Sequence, residues 1–161
     1  MIIKNNLLDD NCLNQLDELV GNPSFAWYLQ EEQVEDANDG CWFSHRIYDI
    51  DKPVSFSYVP IMEIFENYLK YVSLCRITVN LLLRQETSSM SVFHTDFQNN
   101  SKITTAIFYL NTNNGATEFE DGDRIDCVRN RLIMFPASTS HRANGQTDVS
   151  KRIVFNFNFI E

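Results

Sequence analysis

The spacing of hydrophobic positions changes near residue 74. Before it, apolar residues recur at the three- and four-residue intervals of amphipathic helices; after it, short apolar runs alternate with polar turns. The plainest turns are Asn111–Gly115 and Glu120–Asp123. This pattern predicts a mainly β domain with supporting helices (α+β), in which 1–73 supply helical support and a lid segment and 74–161 form the core.

Two helices are predicted in the first part. Asp9 or Asp10 can cap a helix that ends at Gly21-Asn22-Pro23, with Leu8 placed to pack on Leu13. A second helix is predicted from about Val59 to Tyr71. Its apolar stripe consists of Ile61, Ile64, Phe65, Tyr68 and Leu69. Both stripes indicate packing against a sheet.

Two segments lack regular periodicity. Gln30–Ser57 is acidic and Arg84–Ser91 is polar, so we predict that both are lid segments, more mobile than the rest of the domain without substrate and ordered when substrate binds. The alternative for the first is a fixed surface loop packed by its aromatic residues, Trp42, Phe43 and Tyr48. For His45, within this segment, a structural or substrate-facing role is favoured over metal binding.

Eight strands are predicted from residue 74 onward. They are Leu74–Leu83, Val92–Phe97, Ile103–Asn111, Ala116–Glu120, Arg124–Val128, Arg131–Pro136, His141–Ala143 and Arg152–Ile160. Eight short strands in two facing sheets are typical of a jelly roll, or double-stranded β-helix, whose open mouth suits a ligand pocket. The prediction is a single domain of 161 residues, with both helices packed on the outer face of one sheet.

Strand parity assigns side chains to faces. On the last strand, Arg152 shares one face with Val154, Asn156 and Asn158, and the other face carries Ile153, Phe155, Phe157 and Phe159. An inward Arg152 therefore requires an outward phenylalanine row, which the helices would cover. By the same parity, Thr105, Ile107 and Tyr109 share a face, and turning it inward places Tyr109 in the pocket.

Four residues suggest the chemistry of this pocket. Two imidazoles and one carboxylate, His94, Asp96 and His141, can cap one face of Fe(II) and leave the other face open. Arg152 offers the fork that binds a carboxylate of an organic acid. A His-x-Asp tripeptide alone is weak, because His94 can be an ordinary strand-end residue and Asp96 a turn or cap. All four, however, lie at the ends or starts of predicted strands, where a sheet can aim them into one cavity.

From Leu74 to the C-terminus the chain resembles the iron(II)/2-oxoglutarate-dependent dioxygenases, most closely their prolyl-4-hydroxylase-like branch and small members found in phage genomes. The matching stretches are His94–Phe97, Thr104–Asn113, Asn114–Gly122, Asn130–Pro136, Ser140–Arg142 and Lys151–Phe157. The resemblance implies Fe(II) as cofactor and 2-oxoglutarate and O2 as cosubstrates. It implies that His94, Asp96 and His141 bind the metal and contribute to catalysis, and that 2-oxoglutarate is decarboxylated to succinate and CO2.

The resemblance also assigns the cosubstrate site. Arg152 and Tyr109 are expected to hold the far carboxylate of 2-oxoglutarate, and Asn80 to donate to the cosubstrate near the iron. The implied activity is hydroxylation of an unactivated C–H bond, on a prolyl or other side chain of a protein or peptide. Two alternatives remain open: a hydroxylase of a free amino acid or other small molecule, and a catalytically silent jelly-roll binding protein.

Composition narrows the partners. With 13 basic and 22 acidic residues the net charge is −9, which weighs against nucleic acid or an anionic membrane as the main partner. No apolar run predicts a membrane span or a signal peptide. Cys12, Cys41, Cys75 and Cys127 have no paired spacing and are interpreted as reduced thiols. These features predict a cytoplasmic protein, in the host cytoplasm if phage-encoded, with no prediction of oligomeric state.

Overall fold

A computed structural model describes residues 1–31, 41–87, 90–98 and 102–161. Its helices are α1 (Asp10–Gly21) and α2 (Tyr58–Phe65). Its strands are β1 (Ile2–Asn5), β2 (Tyr28–Gln30), β3 (Trp42–Asp49), β4 (Lys52–Pro53), β5 (Ser73–Leu83), β6 (Ile103–Tyr109), β7 (Ala116–Phe119), β8 (Arg124–Asp126), β9 (Arg131–Pro136), β10 (His141–Asn144) and β11 (Lys151–Ile160). The chain is therefore mainly β with two supporting helices, as predicted.

The strands form two antiparallel sheets of unequal size. The larger has the order β1-β9-β6-β11-β5-β3-β2, with β4 added to β3, and the smaller has the order β10-β7-β8. Within the described ranges no ladder joins the two sheets, so they form an open double sheet and not a closed barrel. Side chains of β6, β7, β9 and β11 pack between them, among them Tyr109, Phe119, Phe135 and Val154. This inner core forms the rigid base of the site.

The second core lies on the opposite face of the larger sheet, under the helices. Phe65 of α2 packs its ring 4.8 Å from Phe157, 5.1 Å from Phe108 and 5.8 Å from Phe155, measured between centroids. Leu13, Leu16 and Val20 of α1 belong to the same cluster. The parity prediction is confirmed: the phenylalanine face of β11 points to the helices, and Arg152 points away from them.

The ends of the helices follow their local sequence. Asp9 caps α1 by accepting a 2.8 Å hydrogen bond from the backbone N–H of Cys12, and the helix ends at Gly21 as predicted. The α2 helix is shorter than predicted. Beyond Phe65 the chain continues as turns in which the N–H groups of Tyr68 and Leu69 both donate to the Phe65 carbonyl. The predicted apolar stripe is nevertheless buried except for the half-buried Tyr68, because these turns keep Leu69 on the inner face.

Two sequence-based assignments were wrong. Residues 42–49, interpreted as part of an irregular lid, form β3, an eight-residue strand paired with β5. Buried and exposed side chains alternate in β3 over only a few residues, such as the exposed Arg46 and the fully buried Ile47. Conversely, the predicted strand Val92–Phe97 forms only an isolated bridge between His94 and His141. Parts of both predicted lid segments, residues 32–40 and 88–89, lie outside the residues that the structure describes.

The remaining seven predicted strands are present with small differences at their ends. Three strands that the sequence did not suggest, β1, β2 and β4, are short and lie at the margins of the larger sheet. Neither described helix has the length and apolar character needed to cross a bilayer.

Candidate metal and cosubstrate site

His94, Asp96 and His141 come together at the mouth between the sheets. One potential ligand atom from each lies within 4.8 Å of the others, and the two imidazole centroids are 4.6 Å apart. The backbone sets this geometry, because His94 and His141 exchange both N–H···O=C bonds, at 3.0 and 2.9 Å. The sequence prediction that these distant residues meet in space is confirmed.

Both imidazoles are fixed in the tautomer that suits a metal. Nδ1 of His94 lies 3.2 Å from the Val92 carbonyl, and Nδ1 of His141 lies 3.0 Å from the Thr139 carbonyl. A carbonyl oxygen only accepts, so each Nδ1 carries the proton and each Nε2 presents its lone pair. Burial lowers the pKa of His141, which favours the neutral ring that a metal requires.

The Asp96 carboxylate lies within a polar network. Its Oδ2 accepts hydrogen bonds from the Thr105 hydroxyl at 2.7 Å and from Asn158 Nδ2 at 2.8 Å. Arg76 NH2 lies 3.4 Å from the other oxygen, Oδ1. Burial alone would raise the pKa of Asp96, but His141, the two hydrogen bonds and Arg76 outweigh burial and hold that pKa below its usual value. The carboxylate is therefore ionised near neutral pH.

Arg152 is a buried cation without an acidic partner. It is only 2% exposed, and no carboxylate of the described residues forms an ion pair with it. Its NH1 donates to the carbonyls of Ala116 and Asn144, both at 2.9 Å, while Nε has no partner. Because an isolated buried charge is costly, this side chain is suited to an anion that supplies the missing acceptors.

Tyr109 lies behind Thr117. Its phenol donates a 2.8 Å hydrogen bond to the Thr117 hydroxyl, and burial raises the pKa of Tyr109 to about 12, so the phenol keeps its proton. Arg152 NH2 approaches the same hydroxyl at 3.4 Å. Since the Thr117 oxygen already accepts from Tyr109, its own hydrogen remains for an acceptor in the cavity.

One cavity of about 120 Å³ joins the two histidines to Thr117 and Arg152. Its lining includes His94, His141, Arg152, Thr117, Asn80 and Asn156. The Asn80 side chain makes no hydrogen bond to another described residue, and Oδ1 of Asn156 is buried without a partner among them. Leu82, Ile107 and Val154 contribute apolar surface to the same lining. A metal end, an anion end and a short apolar path between them fit a small dicarboxylate that chelates a metal.

The sequence matches no family model and no curated protein. Solved structures do match. A prolyl hydroxylase from Trichoplax adhaerens, in complex with a hypoxia inducible factor peptide fragment, aligns with a TM-score of 0.65 at 15% identity, covering 99% of this chain and 83% of that one. A 2OG-Fe(II) oxygenase family oxidoreductase from Burkholderia pseudomallei aligns with a TM-score of 0.68 at 12% identity, covering 98% and 84%.

A third match has a different activity in its name. The non-heme alpha ketoglutarate dependent epimerase SnoN from nogalamycin biosynthesis aligns with a TM-score of 0.68 at 14% identity, covering 98% of this chain and 76% of that one. The chain has the 2OG-Fe(II) oxygenase fold. Within that fold, His94, His141 and Arg152 line one cavity of this chain, and Asp96 lies beside the two histidines.

Several residues of this oxygenase-fold site were not identified from the sequence. Thr117 stands between Tyr109 and the cavity, and Thr105 and Asn158 hold Asp96. Parity had placed Asn158 on the Arg152 face and Thr105 on the Tyr109 face, so a signal existed for these two. His45 is not among the residues that line the cavity and packs 4.4 Å from Phe25, between ring centroids, which fits the first of the two roles, structural or substrate-facing, predicted for it.

Proposed function

We propose that this protein is an Fe(II)- and 2-oxoglutarate-dependent hydroxylase that oxidises an unactivated C–H bond in a protein or peptide side chain. The observation that carries the proposal is the buried, acid-free Arg152 in the cavity that His94 and His141 also line, with a carboxylate oxygen of Asp96 within 4.8 Å of a ring nitrogen of each histidine. When bound, the iron and 2-oxoglutarate supply the oxidising power, by reaction with O2 and release of succinate and CO2.

The metal would be held by Nε2 of both histidines and by the Asp96 carboxylate. Two neutral imidazoles and one carboxylate are a ligand set that suits Fe(II) and leaves positions open. The backbone bonds between His94 and His141 fix the spacing of the two rings, and the carbonyls of Val92 and Thr139 fix their rotation. These contacts prepare the site before a metal arrives.

The 2-oxoglutarate would extend from the metal to Arg152. With NH1 engaged by two carbonyls, Nε and NH2 remain as a side-on fork for the far carboxylate. Thr117 would add its hydroxyl hydrogen, and Tyr109 would act through Thr117 by fixing the direction of that hydroxyl. Asn80 and Asn156 line the stretch between the two ends, where their amides would meet the cosubstrate or the water at the metal.

The choice of a peptide substrate is supported by the similarity to the prolyl hydroxylase structure that contains a peptide. A small-molecule substrate is the second candidate, supported by the similarity to the epimerase of nogalamycin biosynthesis. Low identity to both leaves the choice to experiment. A binding protein without turnover is the third reading, which the retention of the triad and Arg152 disfavours.

Two experiments test the proposal. Anaerobic addition of Fe(II) and 2-oxoglutarate should produce a visible charge-transfer band that His94→Ala, Asp96→Ala and His141→Ala abolish. His45→Phe is the matched control, since it keeps the ring packing on Phe25 and should preserve the band. Succinate release should then be measured across proline-containing peptides, free amino acids and nucleotides. A wild-type protein without the band would refute the cofactor assignment, and the stimulating substrate would decide between the first two candidates.

A further inference from the structure

The two oxygens of Asp96 have unequal surroundings. Oδ2 receives two short hydrogen bonds, from Thr105 and Asn158, and Asn156 Nδ2 adds a longer contact at 3.4 Å. Among the described residues, Oδ1 has only Arg76 NH2 within ion-pair distance, at 3.4 Å. A carboxylate oxygen has two lone-pair directions, so the two short bonds occupy Oδ2. Oδ1 is the atom with capacity left for a metal.

The donors to Oδ2 are fixed in direction as well as position. Asn158 Oδ1 accepts from Arg76 Nε at 3.0 Å, so the amide nitrogen of Asn158 must face Asp96. That nitrogen also donates to the Thr105 hydroxyl at 2.9 Å, which leaves the hydroxyl hydrogen of Thr105 for Asp96. The bonds therefore run one way, from Arg76 through Asn158 and Thr105 to the carboxylate.

This hydrogen-bond network fixes the position of the Asp96 side chain, which the backbone around Asp96 does not fix. Asp96 lies outside the regular strands, so no ladder fixes its side chain. Thr105 of β6 and Asn158 of β11 are direct partners across two strands in the middle of the larger sheet, and both are fully buried. Their side chains thus carry the rigidity of the sheet to a ligand in an irregular segment.

We propose that Thr105 and Asn158 are positioning residues that restrict Asp96 to binding the metal through Oδ1 alone, with Arg76 setting the direction of the Asn158 amide. The inference rests on the proposed function and deepens its metal site. A carboxylate that can rotate is able to bind with both oxygens and would then occupy a second coordination position. Holding Oδ2 keeps that position available for the cosubstrate and O2.

The test uses adjacent threonines that differ in their role. Thr105→Val removes the donor to Asp96 at nearly constant volume, and Thr104→Val is the matched control because the Thr104 hydroxyl bonds Glu161 at the surface. Co(II) is titrated into the metal-free proteins, and dissociation constants and visible d–d spectra are recorded. We expect Thr105→Val to bind Co(II) roughly 10- to 100-fold more weakly with an altered spectrum, and Thr104→Val to match wild type.

Two further variants separate positioning from simple folding effects. Asn158→Leu should reproduce the Thr105→Val spectrum, while Thr105→Ser, which keeps the hydroxyl, should restore wild-type affinity. Thermal unfolding of each metal-free protein verifies that it is folded. If folded Thr105→Val and Asn158→Leu bind Co(II) with wild-type affinity and a wild-type spectrum, this inference is overturned and the proposed function still stands. A wild-type protein that binds neither Co(II) nor Fe(II) would instead overturn the proposed function.

Discussion

Gly115 lies against the guanidinium of Arg152, so closely that a Cβ at position 115 would be 3.3 Å from NH1. The same Cβ would be 2.8 Å from the Asn144 carbonyl, one of the acceptors that hold NH1. Such a contact requires a shift in backbone or in the arginine. The absence of a side chain at Gly115 is therefore a condition for the observed position of Arg152.

Gly115→Ala should weaken 2-oxoglutarate binding by about tenfold, because overpacking of this kind costs about 1–3 kcal/mol and displaces the anion fork. Metal affinity should change little, since the triad lies at the other end of the cavity. Gly21→Ala, at a position with no atom near the added carbon, is the control. Isothermal titration with 2-oxoglutarate measures the effect, and equal affinity in both variants would contradict it.

Arg152→Ala should weaken 2-oxoglutarate binding by about 2–5 kcal/mol, the range for removing one partner of a buried charge pair. Arg152→Lys should recover only part of the loss, because a single ammonium does not reproduce the fork. The exposed neighbour Lys151 is the control, and Lys151→Ala should be nearly silent. The readout is the rise in melting temperature on adding 2-oxoglutarate to the metal-bound protein. A full rise in Arg152→Ala would place the anchor elsewhere.

Phe93→Ala should lower metal affinity by about two- to fivefold. The Arg142 guanidinium stacks 4.3 Å from the centre of the Phe93 ring and is itself held by Glu118 at 2.9 and 3.0 Å. The stack braces the segment that carries His94, and a cation–π contact at a partly exposed site contributes about 0.5–1 kcal/mol. Phe56→Ala, at a fully exposed ring, should leave metal binding unchanged.

Glu118→Gln should destabilise the protein at neutral pH. Hydrogen bonds from Asn144, Arg142 and Arg124 lower the pKa of Glu118 despite partial burial. A lowered folded-state pKa means that the carboxylate stabilises the fold above its unfolded pKa of about 4.3 and ceases to do so as pH falls through the folded value. The melting temperatures of wild type and Glu118→Gln should therefore differ at pH 7 and converge as the pH is lowered to 3. A constant difference would exclude ionisation of Glu118 as the cause.

Asn130→Ala should cost about 2–4 kcal/mol of unfolding free energy. The Asn130 amide makes two buried 2.8 Å bonds to the backbone of Leu8, and its φ of 64° lies in the left-handed region. Alanine loses both bonds and pays about 1–2 kcal/mol for that conformation. Asn130→Gly removes the bonds and accepts the dihedral angle, so denaturant unfolding should place it between wild type and Asn130→Ala. Equal stability of all three would contradict this account.

Strand parity accounts for how much of the site could be predicted. A two-residue period leaves no freedom along β11 once Arg152 is turned inward, so the phenylalanine face and its cover by α2 both followed. The same period along β6 grouped Tyr109 with Thr105 and Ile107 on one face. Strand parity predicts the face of the sheet on which a side chain lies, but not whether that side chain reaches the cavity. It could not show that Thr117 stands between Tyr109 and the cavity, because that depends on the smaller sheet.

The failures have physical reasons too. The β3 strand pairs on both sides yet buries few residues, so its hydrophobic alternation is too weak to stand out. The Val92–Phe97 segment contains suitable residues but bonds to β10 only near His94. The role of Arg76 could not be predicted from the sequence. Its contact with Asp96 joins residues twenty positions apart and depends on how β5 packs against the Val92–Phe97 segment.

The strand β11 carries Arg152 near one end and Asn158, the partner of Asp96, near the other. A strand has a nearly fixed rise of about 3.3 Å per residue and is held here by ladders to β5 and β6. It therefore fixes the position of Arg152 relative to Asn158 and, through the hydrogen bond of Asn158, relative to Asp96. Acids of different chain length should consequently be discriminated by reach and not by charge, so oxaloacetate, one methylene shorter, should fail to touch both ends at once.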